Sequence, residues 1–96
     1  MNMITPDSEE AYLIKQCILT EKSFSIGARG IRIDCLIKPE WKGWMVKVER
    51  SGMISVNCDS IYYDPTANTL LCFAESGCLT TIEFNMFMYD VVKVMS

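Results

Sequence analysis

Residues 59–84 read DSIYYDPTANTLLCFAESGCLTTIEF, and this stretch decides the fold. Strand-forming residues at 61–63, 69–73 and 78–84 are interrupted by Asp64-Pro65-Thr66-Ala67-Asn68 and by Glu75-Ser76-Gly77. Proline fixes φ, aspartate and asparagine hydrogen-bond the neighbouring backbone, and glycine takes φ > 0 without steric cost, so each interruption reverses the chain. The stretch predicts three short strands joined by two tight turns.

Upstream the same period of two continues. Trp44, Val46 and Val48 alternate with Lys47 and Glu49, Arg50-Ser51-Gly52 turns the chain, and Ile54, Val56 and Cys58 alternate with Ser55 and Asn57, which describes a hairpin. Before it, Phe24 and Ile26 lead through Gly27-Ala28-Arg29-Gly30, read as a glycine bulge or turn, into Ile31, Ile33, Cys35 and Ile37 set against Arg32, Asp34 and Lys38. Leu36 breaks that polarity and suggests a partly covered second face, and Pro39 ends the strand by removing a ladder donor. Residues 23–84 thus hold about six strands with short links, and short links favour antiparallel pairing because parallel crossovers need a dozen residues or more.

The two ends change period. Ala11, Ile14 and Ile18, with Leu13 and Cys17 beside them, form a helical apolar stripe behind Pro6-Asp7-Ser8-Glu9-Glu10, so a helix is expected over 8–20 with Asp7 as its cap and Glu10 completing a capping box. Phe84, Phe87, Met88, Val91, Val92 and Met95 also fall at helical spacing, which predicts a helix over 85–95 capped by Asn85. The adjacent valines and Val94 make a final strand the competing reading. The expected fold is α+β: an antiparallel sheet of five or six strands with short N-terminal and C-terminal helices, with an all-β barrel as runner-up.

Composition fits one domain over 1–96. Half of the residues are hydrophobic and 22% are charged, a globular balance far from that of disordered chains. No apolar run approaches the roughly 20 residues that cross a bilayer. The N-terminus lacks a basic segment followed by an apolar block, so no secretory signal and a cytoplasmic address are expected. Five cysteines, Cys17, Cys35, Cys58, Cys72 and Cys78, are odd in number and scattered among apolar neighbours, which predicts buried reduced thiols. Without CxxC spacing or any histidine, neither a zinc site nor a cofactor is expected. Cys72 and Cys78 could face each other across the Ser76-Gly77 turn, a geometry that by itself implies no disulfide.

The same absence of histidine excludes Ser-His and Cys-His nucleophiles. Asp59 and Asp64 flank 61–63 as an acid/base pair would, but their positions suit turn residues better. The GARG segment at 27–30 matches neither phosphate-loop nor dinucleotide fingerprints. No enzymatic motif emerges.

Charge is segregated along the chain. Arg29, Arg32, Lys38, Lys42, Lys47 and Arg50 against Asp34, Glu40 and Glu49 leave 29–50 at +3, whereas Asp59, Asp64, Glu75, Glu83 and Asp90 against Lys93 leave 51–96 at −4. Trp41 and Trp44 among the basic residues would suit a single-stranded nucleic-acid groove, yet a pI near 4.8 opposes phosphate binding. The favoured expectation is a non-enzymatic acidic binding protein, an inhibitor of a basic partner such as a nuclease toxin, contacting it through Asp59, Tyr62, Tyr63, Asp64, Glu75 and Glu83. In size, charge and missing catalytic groups the chain is similar to small acidic immunity and anti-defence proteins of bacterial and phage conflict systems, a likeness that rests on no motif. The alternative is a small-ligand or nucleotide pocket in which Trp41 stacks a ligand and Arg29 or Arg32 holds an anion. A third reading, an assembly subunit, calls for a self-complementary patch between copies.

Overall fold

The turn chemistry of 59–84 operates as its residues require. In the computed structural model, which describes residues 3–86, 88–89 and 91–95 with the Trp41 side chain excepted, three strands run β5 (Ser60–Asp64), β6 (Thr69–Ala74) and β7 (Gly77–Glu83). Asp64 Oδ1 accepts hydrogen bonds from the backbone N–H of Thr66 (3.0 Å) and Ala67 (3.4 Å), and Asn68 closes the first turn at φ 52°. Gly77 takes φ 124° in the second turn, where only glycine is unstrained.

The register between β6 and β7 slips between Cys72 and Phe73, so Cys72 lies opposite Thr80 and Phe73 opposite Cys78. That bulge parts the two thiols that the turn could have set face to face: Cys72 is buried and Cys78 exposed on the opposite face.

Upstream, β1 (Phe24–Ala28), β2 (Ile31–Lys38), β3 (Gly43–Glu49) and β4 (Met53–Cys58) form consecutive antiparallel hairpins. The tail supplies β8 (Val91–Val94), which pairs with the free side of β1 from Phe24↔Val94 to Gly27↔Val91. The helix expected over 85–95 is therefore corrected to a 3₁₀ turn at Phe84–Met86 followed by a strand. Phe87 and Asp90 of that expected helix lie outside the described residues. Three valines in four residues lose rotamer freedom in a helix, and β1 offers a row of unpaired backbone groups to satisfy. Gly27 admits the close approach, since a Cβ there would stand 3.2 Å from Val91 Cγ1.

The single sheet of the sequence reading is corrected to two: five strands ordered β4-β3-β2-β1-β8 and three ordered β5-β6-β7. The chain changes sheet across Asp59 alone, whose N–H donates to the Phe73 carbonyl at 2.8 Å. The described strands close no barrel, and the fold is α+β. Inner faces meet in one core, with Phe24, Ile26, Cys35 and Val46 from the larger sheet against Ile61, Leu70 and Cys72 from the smaller. Phe84 stacks on Tyr63 at 5.8 Å and meets Tyr89 edge-on at 5.7 Å, closing one end of that core.

The helix α1 (Glu9–Leu19) is capped by Ser8, whose Oγ accepts from Ala11 N–H at 3.2 Å. Asp7, expected as the cap, instead accepts from Thr5 Oγ1. Ala11, Ile14 and Cys17 face inward, and α1 packs against β8 and β5, sealing the seam between the sheets on that side. The opposite seam, between β4 and β7, holds a cleft of about 480 Å³ lined by Ile33, Val46, Ile54, Val56, Ile82 and Met86 among others.

Asn68 ties these parts together. Its side chain accepts from Tyr63 Oη (2.6 Å) and donates to the Ile4 carbonyl (2.7 Å) and Asn85 Oδ1 (2.8 Å). One amide joins the N-terminal segment, the meander and the 3₁₀ turn. Among the described residues no helix is long and apolar enough to cross a membrane.

Candidate functional site

Alternation along β5 decides which side chains of the meander meet solvent. Ile61 and Tyr63 point into the core, and Tyr62 points out, 55% exposed. The register carries that choice across the sheet in three rows: Ser60, Phe73 and Cys78; Tyr62, Leu71 and Thr81; Asp64, Thr69 and Glu83, of which Thr69 is buried. Leu71 and Phe73 are half-buried, so the centre of the outer face is apolar and aromatic. Glu75 follows β6 at one end and Asp64 and Glu83 share the row at the other, about 20 Å away at strand spacing.

Asp59, Glu75 and Glu83 are exposed, and Asp64 is half-buried because one oxygen is committed to its turn. No lysine or arginine occurs in 59–84. The result is an apolar strip bounded at both ends by carboxylates.

Four of the six residues expected to contact a partner, Tyr62, Asp64, Glu75 and Glu83, thus border one face, whereas Asp59 lines a cavity with Lys38, Lys42 and Trp44 where the chain changes sheet. Tyr63 does not join them. It is 4% exposed, its hydroxyl donates to Asn68, and burial, with Asp64 nearby, raises its pKa above the usual phenol value. Its place two residues from Ile61 already marked it as inward.

A groove of about 460 Å³ between α1 and β5 adjoins Tyr62, lined by Ile18, Leu19, Pro65 and the edge of Tyr63, with Lys15 Nζ lying 5.7 Å from the Tyr63 ring centroid. Sequence reading missed this contribution from the helix. Leu19, 77% exposed, falls off the Ala11-Ile14-Cys17 stripe, and that mismatch was the available signal.

The alternative ligand residues are dispersed. Arg29 lies in the β1–β2 turn, where Gly30 takes φ 78°, and Arg32 pairs with Asp34 on its own strand at 3.1 Å. Trp41 follows the far end of β2 in the 3₁₀ turn Pro39–Trp41, and its side chain lies outside the described set. The six strand rises from Arg32 to Lys38 set the two ends about 20 Å apart.

Four cysteines are buried: Cys17, Cys35, Cys58 and Cys72. Burial pushes the Cys72 thiol up to about 12, helped by neighbouring Cys58, and raises Cys35 well above the ordinary value. These groups remain protonated thiols at neutral pH, unsuited to nucleophilic attack. Cys78 alone is exposed, and core packing does not extend to it. Among the described residues no three Cys, Asp or Glu side chains converge as a metal site.

Comparisons with protein-family models, with curated proteins and with solved structures found no match to this chain.

Proposed function

We propose that this protein is a non-enzymatic acidic binding protein that neutralises a basic protein partner, of the kind a nuclease toxin exemplifies. One observation carries the reading: the outer face of β5-β6-β7 presents Tyr62 with Leu71 and Phe73 between Glu75 at one end and Asp64 and Glu83 at the other, and its own strands contain no lysine or arginine. Carboxylates at the rim raise the rate of encounter with a cationic surface, typically by 10-fold or more, while a central tyrosine anchors the docked state. A rigid sheet presents both without ordering cost. An enzyme that binds phosphate backbones presents the complementary cationic cleft. Covering it would stop turnover without any chemistry by the inhibitor.

The test uses the protein and its Asp59→Lys/Asp64→Lys/Glu75→Lys variant as parallel baits in extract of the source cell, followed by binding kinetics on the purified captured protein. The expected result is a basic partner whose association with the variant is at least about tenfold slower at low salt, with a flattened salt dependence. Equal association rates for the two baits would overturn the reading.

A further inference from the structure

Four strands form sheet edges among the described residues: β4 and β8 in the larger sheet, β5 and β7 in the smaller. An edge leaves alternate N–H and C=O groups unpaired, and proteins guard such rows with charge, bulges, short length or a covering element. Three of these edges are guarded. β8 is four residues long and contains Lys93, β5 has α1 packed against it, and β7 ends in Glu83 with a bulge in its ladder beside Cys78.

β4 has no such guard. Its ladder with β3 runs without a slip from Glu49↔Met53 to Trp44↔Cys58, and 51–58 contains neither a charged residue nor a proline. Met53 and Ser55 are exposed, and Ile54, 66% exposed, lines the open seam between the sheets.

We propose that β4 is the edge through which two copies of this chain pair, antiparallel about a twofold axis at Ser55. That register sets Ser55 against its own copy, Ile54 against Val56, and Met53 against Asn57. Paired positions differ by an even number of residues, so the seam-facing side chains of both copies fall on one side. Ile54 and Val56 then form two β-branched cross-strand pairs and continue the apolar wall of each cleft into the other copy. The larger sheets join into one.

Charge fits self-pairing. The innermost cation, Lys47, lies opposite Ser55 one strand in, so the two copies of Lys47 stand three strand spacings apart, about 14 Å and beyond the screening length of about 8 Å. A six-residue edge is a small interface, which implies association in the micromolar range rather than an obligate dimer. The acid-bounded face lies on the other sheet and stays open, so the proposal stands or falls independently of partner binding.

Sedimentation equilibrium from about 1 µM to about 500 µM tests it. The weight-average mass should rise from 10.9 kDa toward twice that value, and Ser55→Lys, with unchanged circular dichroism, should weaken association at least about tenfold. Lys93→Arg, which keeps the charge on the other edge, should associate like wild type. In a Cys78→Ser background, oxidised glutathione should link Ser55→Cys chains into a disulfide dimer and leave Met53→Cys chains unlinked, because only position 55 meets its own copy at bonding distance. This trapping also decides the matter should Ser55→Lys fail to fold. A monomer mass at every concentration, undiminished association of a folded Ser55→Lys, or equal cross-linking at 53 and 55 would each overturn the proposal.

Discussion

Replacing Asn68 separates two contributions that the structure assigns to one residue. The side chain is 4% exposed and makes three hydrogen bonds, and the backbone sits at φ 52°. Asn68→Ala strands the buried Tyr63 hydroxyl and the Ile4 carbonyl, at about 1–3 kcal/mol for each unsatisfied group. It also places a Cβ without local polar compensation in the left-handed region, at about 1 kcal/mol. The sum is about 3–7 kcal/mol, a large part of the total stability expected of a domain this size. Asn68→Gly loses the same hydrogen bonds but not the backbone fit, and should recover about 1 kcal/mol. Equilibrium urea unfolding reads both: at a slope of about 1–1.5 kcal/mol/M, the alanine midpoint should fall by at least about 2 M and the glycine midpoint by roughly 0.7 M less. An alanine variant within 1 M of wild type, or a glycine variant no better than alanine, would refute the role given to Asn68.

Adjacent tyrosines should behave oppositely: Tyr63→Ala should cost about 3–4 kcal/mol in thermal or urea unfolding, and Tyr62→Ala less than about 0.5 kcal/mol. Gly27→Ala presses a methyl group against Val91, so hydrogen exchange at the β1–β8 ladder should speed up more than at the β2–β3 ladder. With dithionitrobenzoate the folded protein should titrate one thiol, Cys78, and the urea-unfolded chain all five. The buried thiols also set a pH dependence. Cys72 holds its proton in the folded state to about 12 but releases it near 9.0 once unfolded, so the unfolded state binds fewer protons in that window. The contribution of Cys72 to stability should therefore be constant below pH 9 and fall as pH rises beyond it, with Cys35 acting in the same direction.

The features legible in the sequence were local ones. Asp64, Pro65 and Asn68 specify a turn through bonds to atoms within a few residues, and the parity of Ile61, Leu70 and Ile82 follows from burial of one face. The acid distribution of the candidate face was readable for the same reason. What was missed depends on distant partners. Residues 91–94 become a strand because β1 has a vacant side, and their spacing also fits a helix. The change of sheet at Asp59 resembles an ordinary tight link until the second sheet is in place. Cys78 was assigned to the core by its apolar neighbours, and one bulge reversed its direction.

The pairing of Phe24 with Val94 has a consequence for synthesis. At about 5–20 residues per second, β1 emerges roughly 4–14 s before the strand that completes it. Through that interval both margins of the nascent larger sheet, β1 and β4, are bare, and α1 lacks the β8 half of its docking surface. The chain's greatest exposure to mispairing therefore falls before residues 91–94 emerge, and a chaperone that shields extended segments would act on the strands made first.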